Sequence, residues 1–140
     1  MNIPQNIIVH HSITPRDLDP KKTETSINRT HKQRGFPISS LGWYIGYQYM
    51  IFGNGEVRQY RKDSDEGAHC KELLMNFKSI GICLIGDFDK ELPSDGQISS
   101  LRELMKRLLA TYKIDKYDIY PHRRFAVNPA TGVPYKSCYG

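Results

Sequence analysis

The amino-acid sequence predicts a single α/β domain over residues 1–140, with a central mixed β-sheet flanked by helices. Two apolar runs, at 6–12 (NIIVHHS) and 79–86 (SIGICLIG), are typical of buried strands. The runs 45–52 and 56–61 flank Gly-Asn-Gly and predict a hairpin, which would add an antiparallel pair of strands. Strand patterns that alternate with helical ones favour an α/β architecture, and 140 residues make one ordinary domain.

Two helices are predicted, one before and one after the second buried strand in the sequence. The segment 23–34 is rich in helix formers and stops at Gly35, a residue type that commonly follows a helix. The second helix has a clearer start, since Ser94 and Gln97 form a capping-box pattern. Apolar residues then recur at helical spacing as far as Tyr112, which predicts an amphipathic helix packed on the sheet.

Composition and charge narrow the function classes. Hydrophobic residues make up 39% and charged residues 25% of the chain, which suits a packed globule rather than a disordered protein. The longest apolar stretch, 80–85, is much shorter than a membrane-spanning helix, so no membrane insertion is expected. A G-x-x-x-x-G-K-[ST] phosphate loop is missing from the sequence, which disfavours nucleotide chemistry. The net charge of +5 suits an anionic partner without choosing between nucleic acid, lipid and a cell-wall polymer.

A candidate metal site is formed by residues that are far apart in the sequence. His10 and His11 end the first strand, His122 follows a short strand-like run, and Cys138 lies in the irregular tail. Imidazole and thiolate suit zinc, and three protein ligands with an open fourth position are typical of a catalytic site. Neither H-E-x-x-H nor paired C-x-x-C occurs, so spacing alone is not diagnostic. Adjacent strand residues point to opposite faces, so one of the two neighbouring histidines is expected to belong to the scaffold.

Other polar residues have ordinary structural explanations that sequence spacing leaves open. Cys70 fits a small buried apolar position better than a reactive thiol. His31 and His69 each suit a packed or a solvated side chain. Tyr47 is equally explained as a strand aromatic and Lys136 as a surface lysine. The choice between structure and chemistry at these positions needs further information.

Seven sequence blocks supply that information, and they occur in the order IIVHHS, INRTHKQRGF, IGYQYMIFGNGEV, GAHC, NFKSIGICLIGDF, PHR and KSC. Together they resemble the zinc-dependent N-acetylmuramoyl-L-alanine amidases of the bacteriophage endolysin type, a family that also includes the peptidoglycan recognition proteins. The resemblance spans nearly the whole chain. An ordered set of blocks is far more specific than any one block, so the resemblance implies a zinc amidase with the fold predicted above.

The resemblance also implies roles for particular residues. The family's zinc ligands fall on His10, His122 and Cys138, with water in the fourth position. Its catalytic tyrosine falls on Tyr47, and its catalytic lysine falls on Lys136, two residues before the cysteine ligand. Family members that bind peptidoglycan without cleaving it usually lack the cysteine. Because this chain retains all five residues, the resemblance implies an active enzyme.

The implied substrate is peptidoglycan, cut at the amide bond between N-acetylmuramic acid and L-alanine, with bacteriolysis as the result. The family blocks suggest His69, Arg61 and Asn76 as substrate-binding residues of the groove. Nucleic acid is not expected as a partner, and no feature predicts an oligomeric state. The start, MNIPQNIIVHH, shows no secretory signal, so we expect synthesis in the cytoplasm and action on the cell wall after release.

Two other functions remain compatible with the sequence. One is a recognition module that binds peptidoglycan without hydrolysing it. The other is a basic nucleic-acid binder, for which aromatic and cationic side chains should share one surface. Incubation with purified peptidoglycan separates these hypotheses, because only the amidase releases peptides that begin with L-alanine.

Overall fold

The computed structural model describes residues 2–122 of the chain. Within this range the strands are β1 (Asn6–His11), β2 (Tyr49–Ile51), β3 (Val57–Gln59), β4 (Ser79–Leu84) and β5 (Ile119–Pro121). The α-helices are α1 (Pro20–Gln33) and α2 (Asp95–Tyr112), and short 3-10 helices lie at Glu72–Phe77 and Lys116–Asp118. The predicted alternation of strands and helices is therefore confirmed.

The strands form one mixed sheet in the order β3-β2-β4-β1-β5. Strand β1 pairs in parallel with β4 on one side and with β5 on the other, and β2 pairs in parallel with β4. The β2–β3 hairpin supplies the antiparallel pairing. The mixed sheet predicted from the two buried runs and the hairpin is confirmed.

The hydrophobic core packs against both faces of the sheet, around the central strand β4. Every residue of β4 is buried, which confirms that the run 79–86 occupies a position covered on both faces. One face of the sheet packs against α2, through a cluster that includes Ile7, Val9, Ile80, Ile82, Leu104 and Leu108. The opposite face contributes a second cluster, which contains Ile45, Met50, Phe52, Tyr60, Cys83 and Ile85. The carboxyl ends of β1, β4 and β5 are thereby fixed side by side.

The helix starts follow local capping rules. Helix α2 begins as predicted, because the Ser94 hydroxyl accepts from Gln97 N at 3.0 Å and Gln97 Oε1 accepts from Ser94 N at 3.0 Å. Helix α1 begins three residues before the predicted Thr23, at Pro20. Proline is well placed in a first helical turn, where a missing N–H breaks no hydrogen bond, and Asp19 caps the helix. In the described part of the chain, no helix combines the length and the apolar character needed to cross a membrane.

The hairpin strands are shorter than the runs 45–52 and 56–61 that predicted them. The reason lies at Gly46, whose carbonyl accepts from Ala68 N at 2.9 Å. A methyl group on Gly46 would come within 2.1 Å of the Ala68 carbonyl oxygen, so only glycine permits this approach. The chain before β2 is therefore drawn against the loop at residue 68 instead of extending the hairpin.

Candidate functional site

The end of β1 places its two histidines on opposite faces of the sheet. His11 lies on the α2 face, where its Nδ1 accepts from Phe88 N at 3.1 Å and its ring stacks on the Phe88 ring. His10 lies on the other face and is only 1% exposed. The expectation that the two side chains diverge is thus confirmed, and His10 is the one that faces the candidate site.

Three predicted site residues meet around the His10 ring. The centroid of the His122 ring lies 4.4 Å from that of His10, and the centroids of Tyr47 and His69 each lie 5.0 Å from it. The sheet register explains the position of His122. Val9 is paired with Pro121, so the residue that follows Pro121 falls beside His10. Four separate segments of the chain therefore converge at the carboxyl end of β1.

Helix α1 helps to hold Tyr47 in place. The His31 ring is buried, and its Nδ1 accepts from Gly46 N at 2.9 Å. The same ring lies 5.6 Å from the Tyr47 ring, measured between centroids. Of the two explanations left open for His31, the packed one is correct, and its hydrogen bond fixes the backbone directly before Tyr47.

His69 lies behind His10. Its Nδ1 is 2.9 Å from His10 Nε2, and its Nε2 is 3.3 Å from the Ser79 hydroxyl oxygen. Burial is the main cause that lowers the pKa of His69 to about 3, and the nearby His122 and Arg61 lower it further. The ring is therefore neutral at physiological pH. It borders the cleft described below, but both of its nitrogens are engaged with protein groups.

Arg61 was expected in the substrate groove, and the structure places it in the interior. The residue is 2% exposed, and its guanidinium donates to the carbonyl oxygens of Ile45 at 2.8 Å and Pro37 at 2.6 Å. Further donation reaches Glu66 O at 3.1 Å. This arrangement favours a structural role, in which Arg61 ties together the loops that surround the site.

We expect Arg61→Ala to lower the free energy of unfolding by about 3 kcal/mol, because buried carbonyls would lose their donors. Urea denaturation of the purified protein measures this loss. Arg102→Ala is the matched control, since Arg102 is exposed on α2, and it should change stability by less than about 0.5 kcal/mol. Equal effects of the two substitutions would contradict the structural role of Arg61.

Asn76, the third expected groove residue, shapes the loop that carries His69. Its side-chain oxygen accepts from His69 N at 2.9 Å and from Cys70 N at 2.8 Å. These bonds satisfy backbone donors that would otherwise be left in a partly buried loop. Asn76 also lines a cleft of about 420 Å³ beside the histidines. Other residues on its wall include Phe36, Pro37, Glu66, His69, Cys70, Glu72 and His122.

The structure adds two donors that sequence reasoning missed. Cys70, Glu72 and His122 each present a potential ligand atom, and these atoms all lie within 4.8 Å of one another. Cys70 is buried as expected, next to Ile8 and Met75, yet its thiol also donates to Glu72 Oε2 at 3.5 Å. The spacing C-x-E after GAH was visible in the sequence, but it matches no metal motif.

The donors at this cleft fit zinc. Imidazole, thiolate and carboxylate are the groups that bind this ion in proteins, and the cleft combines all of them. The predicted ligand Cys138 and the predicted catalytic Lys136 lie outside the described residues. Among the described residues, the predicted ligands His10 and His122 are brought together, with Tyr47 beside them.

Comparison with known proteins gives a consistent result. The family described as N-acetylmuramoyl-L-alanine amidase matches residues 1–138. The endolysin of Escherichia phage T7 is 34% identical over 113 residues, which cover 76% of this chain and 68% of the endolysin. Peptidoglycan-recognition protein SD of Drosophila simulans is 32% identical over 89 residues, which cover 63% of this chain and 47% of that protein.

A solved structure shows the same fold. N-acetylmuramoyl-L-alanine amidase LysC from Clostridium intestinale URNW superposes with a TM-score of 0.76 and 28% sequence identity. The match covers 99% of this chain and 78% of that one. The chain spans about half the length of the insect peptidoglycan-recognition proteins that it matches. The similarity thus extends from sequence to fold.

Proposed function

Because the chain belongs to the N-acetylmuramoyl-L-alanine amidase family, we propose that it is a zinc-dependent enzyme that hydrolyses the amide bond between N-acetylmuramic acid and L-alanine in peptidoglycan. The observation that carries this proposal is the convergence of His10, His122 and Tyr47 at one end of the sheet. These residues come from three distant segments, and one of them, His122, also lines the neighbouring cleft.

The proposed zinc ligands are the imidazoles of His10 and His122 and the thiolate of Cys138. The two rings are buried, with their centroids 4.4 Å apart, and His122 also borders a cleft that combines further metal-binding donors. When bound, zinc lowers the pKa of its water to about 7 and polarises a carbonyl group. The protein contributes the positions of the ligands and a partly enclosed cleft.

Tyr47 and Lys136 are proposed to act on the substrate and the attacking water. The Tyr47 ring lies 5.0 Å from that of His10, between centroids, where its hydroxyl would orient the water or carry its proton. Attack on the amide carbon places negative charge on the carbonyl oxygen. The Lys136 ammonium would stabilise that charge, since a cation is most effective where charge develops in a site that excludes water.

Peptidoglycan is the proposed partner, and the net charge of +5 supports its attraction to an anionic wall polymer. The chain would act on the cell wall, as an endolysin does. A peptidoglycan-binding module without hydrolysis is the second candidate. It is favoured by one observation, that the chain also matches peptidoglycan-recognition proteins.

We expect the purified protein to release peptides with a free L-alanine amino terminus from insoluble peptidoglycan. A chelator should abolish the release, and added zinc should restore it, because the ligands alone supply no Lewis acid. Mass spectrometry of the soluble fraction identifies the bond that is cut. Sedimentation of the protein with the wall, without any released peptide, would instead establish the binding module.

A further inference from the structure

The His69 ring lies in close contact with two glycines, Gly67 and Gly81. A methyl group on Gly81 would lie 2.6 Å from the His69 ring atoms Cδ2 and Cγ, and one on Gly67 would lie 2.5 Å from Cδ2. Distances this short are not tolerated, so neither position accepts a larger residue without moving the ring. Gly81 belongs to the central strand β4, whose backbone is fixed by neighbours on both sides. The fixed backbone of the sheet therefore limits where the His69 ring can lie.

His69 belongs to a chain of hydrogen bonds. The donor and the acceptor at each step follow from the Met75 carbonyl at one end of the chain. The Met75 carbonyl can only accept, so the Ser79 hydroxyl, 2.6 Å away, donates its proton to it. The Ser79 oxygen is then left to accept from His69 Nε2, at 3.3 Å. A neutral His69 with its proton on Nε2 has an acceptor at Nδ1, and this atom lies 2.9 Å from His10 Nε2.

We propose that His69 and Ser79 are positioning residues that hold His10 in the tautomer with its proton on Nε2, so that Nδ1 is the atom offered to zinc. This inference rests on the proposed role of His10 as a ligand. A histidine ligand commonly donates its other ring N–H to a protein acceptor, which fixes the orientation of the ring and strengthens its donor atom. Here the acceptor is a second histidine, which is itself fixed by a hydroxyl and a backbone carbonyl.

The proposal gives His69 a role different from the groove contact that the sequence suggested. Its nitrogens face Ser79 and His10, and its ring lies against the two glycines. Substitution of His69 should therefore act on the metal through His10 rather than on substrate affinity. We expect His69→Ala to weaken zinc binding about 10- to 100-fold, the usual cost of removing the partner of a histidine ligand. Ser79→Ala should act in the same direction with a smaller effect.

Zinc affinity is measured by competition with a chromophoric chelator, using the full chain and each variant. A second measurement needs no metal: ¹⁵N NMR of the zinc-free protein reports which nitrogen of His10 carries the proton. We expect Nε2–H in the wild type, and a mixture of tautomers in His69→Ala and Ser79→Ala. His11→Gln is the matched control, because His11 is adjacent in sequence but lies on the α2 face, and it should leave both measurements unchanged.

A folded His69→Ala variant that binds zinc as tightly as the wild type would overturn the proposal, and so would a wild-type His10 protonated on Nδ1. If His69→Ala does not fold, Ser79→Ala decides the question, since it removes one hydroxyl and leaves the His69 ring in place. Failure of the wild type to bind zinc would refute the proposed function. The tautomer of His10 in the zinc-free protein would still test the inference independently.

Discussion

Cys138→Ala should abolish zinc binding and peptidoglycan hydrolysis together. The thiolate is the one anionic ligand of the proposed set, and its loss would leave two neutral imidazoles to hold a divalent cation. Removal of a mere partner of a ligand costs about 10- to 100-fold in affinity, so removal of the ligand itself should cost more than about 100-fold. Elemental analysis of the gel-filtered protein measures zinc per chain, and peptide release from peptidoglycan measures activity.

Cys70→Ala is the matched control for that experiment. The Cys70 thiol lies in the same cleft, within 4.8 Å of donor atoms of Glu72 and His122, and is a rival source of thiolate. We expect Cys70→Ala to keep one zinc ion per chain and wild-type activity. If zinc is instead lost with Cys70→Ala and retained with Cys138→Ala, then Cys70, Glu72 and His122 form the metal site and the proposed third ligand is wrong.

The fold was predictable wherever burial or capping leaves a local signature. Strand β4 is apolar on both faces because it is covered on both, and the capping box of Ser94 and Gln97 marks the start of α2. The shorter hairpin was not predictable, because it depends on the approach of Gly46 to Ala68, which lies far along the chain. A glycine in a strand-like run signals a close contact without naming the partner.

The sequence named candidate residues for the site, but their arrangement depends on the fold. The alternation of side chains along β1 separated His10 from His11 correctly, since that rule is local. The position of His69 was not predictable, because only the folded sheet brings its neighbours His10 and Gly81 close to it. The carbonyl partners of Arg61 were likewise not predictable, because they lie in loops that only the fold brings to it.

Tyr47→Phe should leave zinc bound and lower the turnover number about 100- to 1,000-fold, a typical cost for losing a group that assists proton transfer or stabilises developing charge. The substitution removes only the hydroxyl and keeps the ring that packs beside His10 and His31. Lys136→Ala should behave in the same way, because neither side chain belongs to the proposed ligand set. Zinc content and kcat for peptide release, measured on the same samples, separate binding from chemistry.

Tyr117→Phe is the control for loss of a tyrosine hydroxyl, since Tyr117 is 75% exposed and lies in a short helix before β5. It should leave both zinc and turnover unchanged. Wild-type turnover in Tyr47→Phe would show that Tyr47 serves only as a packed aromatic side chain, because a hydroxyl that orients water or carries a proton cannot be removed without effect. Loss of zinc from Tyr47→Phe would show instead that the hydroxyl supports the metal, so the tyrosine would act on His10 and its ion rather than on the substrate.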